Sequence, residues 1–286
     1  MFATSSWPPS AGLVTAAGGV DTAWNLAPGI VIALVGYALI YGLRWRRSRI
    51  EGGARAAGYG RLALWMLGLG CLAAALVSPI DHLGEQFAVF HMVQHLLLAD
   101  LAAVALTLAL TRWILRPVTR RVQRIEHAAG PFGHPAFAAF AYVGVMWLWH
   151  VPALYDAALE HPAVHTLEHL SFAAAGLLYW WHLLSPIRSR SRMNGLGVVL
   201  YMASTKVLVG FLGVLLTFAP SLLYEGYARD GDLWGITALE DQQAAGALMG
   251  LEQTVIMGIV LVVLFTRMLG EADREDERAE RYGTTS

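Results

Sequence analysis

The stretch EQFAVFHMVQHLLLADLAAVALTLALT, residues 85–111, decides the fold: beyond Gln86 its polar groups are His91, Gln94, His95, Asp100 and two threonines, and everything else is apolar. Crossing the hydrocarbon of a bilayer takes about 20 mainly apolar residues in helical form, at about 1.5 Å per residue. This run is long enough to cross.

Six further runs have the same character, giving seven candidate spans in all: Trp24 to Leu43, Leu62 to Pro79, Glu85 to Thr111, Pro135 to Val151, Pro162 to Leu184, Leu196 to Pro220 and Asp241 to Leu269. The chain of 286 residues is 56% hydrophobic and 14% charged, with a mean hydropathy of +0.51. That balance excludes an ordinary soluble domain. A membrane barrel would show shorter segments with alternating polarity, and these runs do not alternate. The expected fold is all-α: a polytopic, seven-transmembrane helical bundle over residues 24–270, with an outer N-terminal segment, 1–23, and a charged cytoplasmic tail, 271–286.

Arginine gives the orientation. Eighteen of nineteen arginines lie in Arg44 to Arg61, Arg112 to Arg124, Arg188 to Arg192 and Arg267 to Arg281, which are alternate connections plus the tail. Basic residues mark the cytoplasmic side, so the N-terminus is expected outside and the C-terminus inside a bacterial plasma membrane. Met1 to Ala23 lacks a basic n-region, so the first helix is expected to be its own insertion signal. The outer side carries Asp21, Asp81, Glu85, Asp156, Glu160, Glu225, Asp230, Asp232, Glu240 and Asp241 against the single Arg229. Such a face attracts cations, or is what positive-inside selection leaves behind. The net charge of −1 gives no reason to expect a nucleic-acid partner.

Seven of the ten histidines fall in two short stretches, His82, His91 and His95, then His150, His161, His165 and His169. Imidazole in hydrocarbon costs free energy unless a partner or cavity holds it. His91/His95 and His165/His169 each stand four apart, on one helix face. Counted from the outer helix ends, His150 and His165 lie about 3 Å deep, His91 and His169 about 9 Å and His95 about 15 Å. The set is a ladder leading inward.

Neutral imidazole binds copper, zinc, iron and nickel, and thioether selects copper(I). Met92 adjoins His91, and Met146, Met249 and Met257 lie on neighbouring spans, although methionine is also a common gap-filler. Glu168 is about 100° round the helix from His169, which suggests an outer-shell partner or a residue facing the headgroups. The lone Cys71 lies inside the second span, so there is no intrachain disulfide and no thiol metal motif. Lys206, the only lysine, and Glu252 reach similar depths on the sixth and seventh runs and are expected to pair, with Asp100 as a competing partner. Prolines and tryptophans mark helix ends: Pro162 fits a first helical turn, with His161 as the entry residue. Asp156 to His161 and Ser221 to Glu240 read as the longer outer loops, able to form a lid or docking surface.

Three strings together resemble a known family. SPIDHLGEQFAVFHMVQHLLL (Ser78 to Leu98), WLWHVPALYDAAL (Trp147 to Leu159) and VHTLEHLSFAAAGLLYWWHLLSP (Val164 to Pro186) look like the multi-pass CtaG family of cytochrome c oxidase assembly factors. The likeness covers roughly residues 24–270. It implies a role in maturing the copper B centre of a haem-copper oxidase, with His91, Met92, His95, His150, His165 and His169 as the copper positions. Asp81, Glu85, Glu168, Lys206 and Glu252, read from their own positions, are the expected supporting residues. The implied partner is the oxidase subunit carrying the copper B site; the lipid membrane is expected from the composition, and a second copy of the chain is left open. A single-span thiol copper chaperone bearing the same name does not resemble this sequence.

Two other classes compete. A haem protein would ligate iron through histidines of two helices, and His82/His95 and His169/His182, each thirteen apart, set two sites about 20 Å apart. Against it, His82 lies in a connection and a four-residue pair on one helix is redundant for haem. A His-box membrane metalloenzyme shares the HxxxH spacing, but its boxes face the cytoplasm.

Overall fold

A computed structural model of the chain describes residues 19–187, 193, 196–229 and 231–282. The basic stretch Arg188 to Arg192, most of the N-terminal segment, Asp230 and the side chain of Met257 lie outside the described residues. Among the described residues every regular element is helical, and the one strand-like feature is a bridge between Leu233 and Ile236.

The first helix, α1 (Pro28–Ala56), opens on Pro28, whose fixed φ suits a first turn and whose missing N–H is no loss there. Near its end Gly53 takes φ 64°, a left-handed conformation that glycine adopts without steric cost. The chain then turns into α2 (Tyr59–Leu76) and, after Pro79, the short α3 (Ile80–Gly84). The opening stretch follows as one rod, Ala88–Ala109, built from α4 (Ala88–Leu96), a π-helical turn (Leu97–Ala102) and α5 (Ala103–Ala109). Short α6 (Arg112–Leu115) and amphipathic α7 (Thr119–Ala128) lead to α8 (Pro135–Trp149), α9 (Pro152–Glu160), α10 (Pro162–Leu184), α11 (Leu196–Thr217) and α12 (Ala238–Tyr282).

Each of the seven apolar runs is thus largely helical. Among the described residues four helices, Pro28–Ala56, Tyr59–Leu76, Ala88–Ala109 and Leu196–Thr217, are long and apolar enough to cross a membrane, and a fifth span arises if α8 and α9 are taken together. The fourth run departs from expectation. It stops at Trp149, and α9 leaves at a bend of 74°. Val151 precedes Pro152, whose ring disfavours helical backbone there, and Val151 is extended at φ −67°, ψ 123°. Asp156 to Glu160, expected as loop, therefore belongs to a helix that folds back over the bundle.

α10 packs against α8, α9, α5 and the π-helical turn. Its Gly176 lies on the main chain of Ala99, where any Cβ would strike the Ala99 carbonyl. α11 and α12 pack along each other through Gly213 and Gly246, and small residues at a contact let helices approach closely. Large apolar side chains such as Ile32, Leu39, Leu67, Val207, Phe211 and Val262 point outward. Polar groups such as His91, His95, Asp100, Glu168 and Glu252 are inside.

Candidate metal centre

The N-terminal end of α4 is fixed by a residue far away in sequence. Phe87, at its N-cap, offers no capping side chain, and Asp241 in the first turn of α12 fills the role. Its carboxylate accepts from the Ala88 N–H at 2.8 Å and the Val89 N–H at 3.1 Å, with the Arg229 guanidinium 3.9 Å away. A carboxylate at a helix N-terminus satisfies free N–H groups and meets the positive end of the dipole. That anchor holds His91 and His95, one turn apart, at a set height.

On α10 the facing groups are His165, Glu168 and His169, at positions i, i+3 and i+4 of one face. His150 ends α8. Its Nδ1 donates to the Met146 carbonyl at 2.6 Å, which fixes the ring and leaves Nε2 bare.

The five rings and the carboxylate converge. Glu168 Oε1 lies 3.4 Å from His91 Nε2 and 3.3 Å from His95 Nε2. His91, His165, Glu168 and His169 each offer a ligand atom, all within 4.8 Å of one another. Ring centres are 5.5 Å apart for His91 and His165, 4.1 Å for His165 and His169, and 5.8 Å for His95 and His169.

Buried polar atoms are ordinarily hydrogen-bonded, and each exception calls for an explanation. Here the exceptions accumulate: both ring nitrogens of His95, Nδ1 of His91, Nε2 of His150, His165 and His169, and Oε2 of Glu168 are buried without a hydrogen-bond partner. A cation held by imidazole and carboxylate would satisfy several of them at once, and nitrogen–oxygen sets of this kind suit first-row transition metals. The donor set fits a metal ion.

Glu168 does not face the headgroups: it is 0% exposed, with Oε1 within hydrogen-bond distance of His91 Nε2 at 3.4 Å, where it can serve as partner to the histidines or as a ligand beside them. An aromatic roof closes the side toward α9. Tyr155 of α9 lies 4.9 Å from the His91 ring, and Tyr224 stacks on Tyr155 at 3.9 Å. Tyr227 donates to the Gly84 carbonyl at 2.6 Å. The stretch Ser221 to Glu240 thus contributes to the lid expected of it, and Phe172 stacks on His95 at 4.1 Å from within.

The remaining candidates are dispersed. Met92 is buried in the apolar core with Ala88, Tyr142 and Met146. Asp81 ties the chain just before α1 to α4, accepting from Asn25 Nδ2 at 2.6 Å and Gln94 Nε2 at 2.9 Å. Glu85 is exposed, 4.0 Å from His82 Nδ1. The expected Lys206–Glu252 pair is not formed among the described residues: Lys206 is half-buried, while Glu252 accepts from Gln253 Nε2 at 2.6 Å. Nor does Asp100 take the lysine. Both its oxygens accept from the Tyr142 hydroxyl, at 2.9 and 2.8 Å, and the Trp180 indole N–H donates to Oδ1 at 2.9 Å. His134 caps α8 by accepting from the Ala136 N–H at 3.1 Å, and His161 is an exposed entry residue to α10.

Reading by periodicity missed Asp241, because its partners lie 153 residues away. It also missed Tyr155, which was assigned to no helix. The signal for Glu168 was present: the spacing His165, Glu168, His169 is i, i+3, i+4.

Fold and site together define an all-helical protein with membrane-spanning helices and a buried histidine–carboxylate cluster of metal-ligand type. Residues 35–271 match the family of the cytochrome c oxidase caa3 assembly factor, and the chain belongs to that family. No curated protein and no solved structure matched it.

Proposed function

We propose that this assembly factor carries copper to the copper B site of a haem-copper oxidase, with His91, His95, His150, His165, His169 and Glu168 holding the ion. Copper is cargo in this reading. The single observation that carries it is the concentration of unpartnered, buried imidazole nitrogens around one carboxylate, in a family of oxidase assembly factors.

The residues divide the work. Bare imidazoles offer the ligands, Glu168 supplies a buried carboxylate among them, and the tyrosine roof separates the ion from the outer solution. Asp241 and the Met146 carbonyl position α4 and the His150 ring. Met92 supports packing beside His91. The chain crosses a bacterial plasma membrane seven times, N-terminus outside, so the site lies in the outer half of the bilayer. Release is lateral, to the oxidase subunit.

In cells relying on this chain alone, His91→Ala with His95→Ala is expected to leave the oxidase with haem but deficient in copper B, while the variant still inserts. Normal copper B content in those cells would overturn the proposal.

A further inference from the structure

The cluster holds more ligands than one ion uses. His91, His165, Glu168 and His169 already make a four-ligand set with mutual distances within 4.8 Å. Four ligands complete a tetrahedral site. His95 and His150 are left over. His95 is 0% exposed with neither ring nitrogen hydrogen-bonded, and His150 presents its bare Nε2 from the end of α8. Their ring centres are 6.5 Å apart. Two imidazoles bound to one ion at about 2.0–2.1 Å have ring centres about 5 to 6.5 Å apart, depending on the angle at the metal.

Glu168 stands between the two sets. The same oxygen, Oε1, is 3.4 Å from His91 and 3.3 Å from His95, while Oε2 is buried without a partner. A carboxylate with two oxygens and about four lone-pair sites can serve two cations. Paired ions in protein sites stand about 3.5–4 Å apart, a separation that one shared carboxylate spans.

The geometry points to two copper positions bridged by Glu168, one on His91, His165 and His169 and the other on His95 and His150. This rests on the copper reading above and extends it to a stoichiometry. The chain's load is a pair of ions.

The test uses the full chain, purified in detergent, loaded anaerobically with Cu(I) alone, washed, and read by elemental mass spectrometry and copper X-ray absorption. Wild type is expected to retain two copper per chain with a copper–copper scattering signal. His150→Ala is expected to retain one and to lose that signal. His165→Ala with His169→Ala is likewise expected to retain one, and Glu168→Gln to lose the copper–copper signal. His95→Gln, which keeps a hydrogen-bonding side chain, covers the case in which His150→Ala fails to fold, and is expected to behave as His150→Ala does. One copper in wild type, unchanged in His150→Ala and His95→Gln, overturns the two-position arrangement and leaves the copper reading standing. No retained copper in wild type overturns both.

Discussion

At the scale of single residues, Asp100 and Glu168 show how a buried carboxylate is read from its partners. Asp100 is surrounded by donors from Tyr142 and Trp180, so its role is to knit the π-helical turn to α8 and α10. Removing one partner of a buried hydrogen bond strands the others, at about 1–3 kcal/mol each. Asp100→Ala is therefore expected to lower thermal stability in detergent clearly more than Asp100→Asn, which keeps an acceptor for the hydroxyl and the indole. Equal melting temperatures would show that these bonds contribute nothing. Glu168 is the opposite case, a carboxylate among unsatisfied imidazoles, and its substitution should change metal retention more than stability. Sequence spacing made the histidine pairs legible, because i, i+4 alone places two rings on one face. It did not rank Glu168, since an angle of about 100° from His169 was weighed while the i, i+3 relation to His165 was not.

At the scale of elements, α12 secures the site without contributing a ligand to it. Asp241 caps α4 from its first turn, so Asp241→Ala is expected to destabilise the fold by about 1–3 kcal/mol and to speed amide exchange at Ala88 and Val89. Unchanged exchange there would remove Asp241 from the account. The start of α12 is a capping box: Glu240 accepts from the Thr237 N–H at 2.9 Å and hydroxyl at 2.8 Å, and the Glu240 N–H donates to Thr237 Oγ1 at 3.3 Å. Hydrogen bonds from the Thr237 backbone and then its hydroxyl hold the Glu240 carboxyl below the usual range. A depressed native value means the contribution is present above the unfolded pKa and is lost as pH falls through the native one. The first turn of α12 is accordingly expected to exchange faster on acidification below about pH 4, and Glu240→Gln to lose that pH dependence; a pH-independent wild type would contradict it. Helices were legible wherever an apolar run was long. The break after Trp149 was signalled by Pro152 yet read as a span end, because a helix folding back is distinguished from a loop only by what it covers, here His91 beneath Tyr155.

At the scale of the whole molecule, the cluster and its anchor gather where α4, α10 and α12 begin: His91 and His95 on α4, His165 and His169 on α10, and Asp241 in the first turn of α12. The outer carboxylates are less a cation funnel than the composition suggested: Asp81, Asp156 and Asp241 are committed to hydrogen bonds within the fold. Four to five helices satisfy length and apolarity, while α10 carries too many polar groups to read as a span although it packs at the centre. With seven spans, a reporter fused after residue 286 is expected to be active only in the cytoplasm, and one fused before residue 24 only outside. Both reporters active on the same side would contradict the topology. The most direct test of the central claim is copper X-ray absorption on the purified, copper-loaded chain and on His91→Ala with His95→Ala. The account predicts a nitrogen and oxygen shell without sulfur in the wild type, and loss of copper in the variant. A sulfur shell, or full copper retention in the variant, would contradict it.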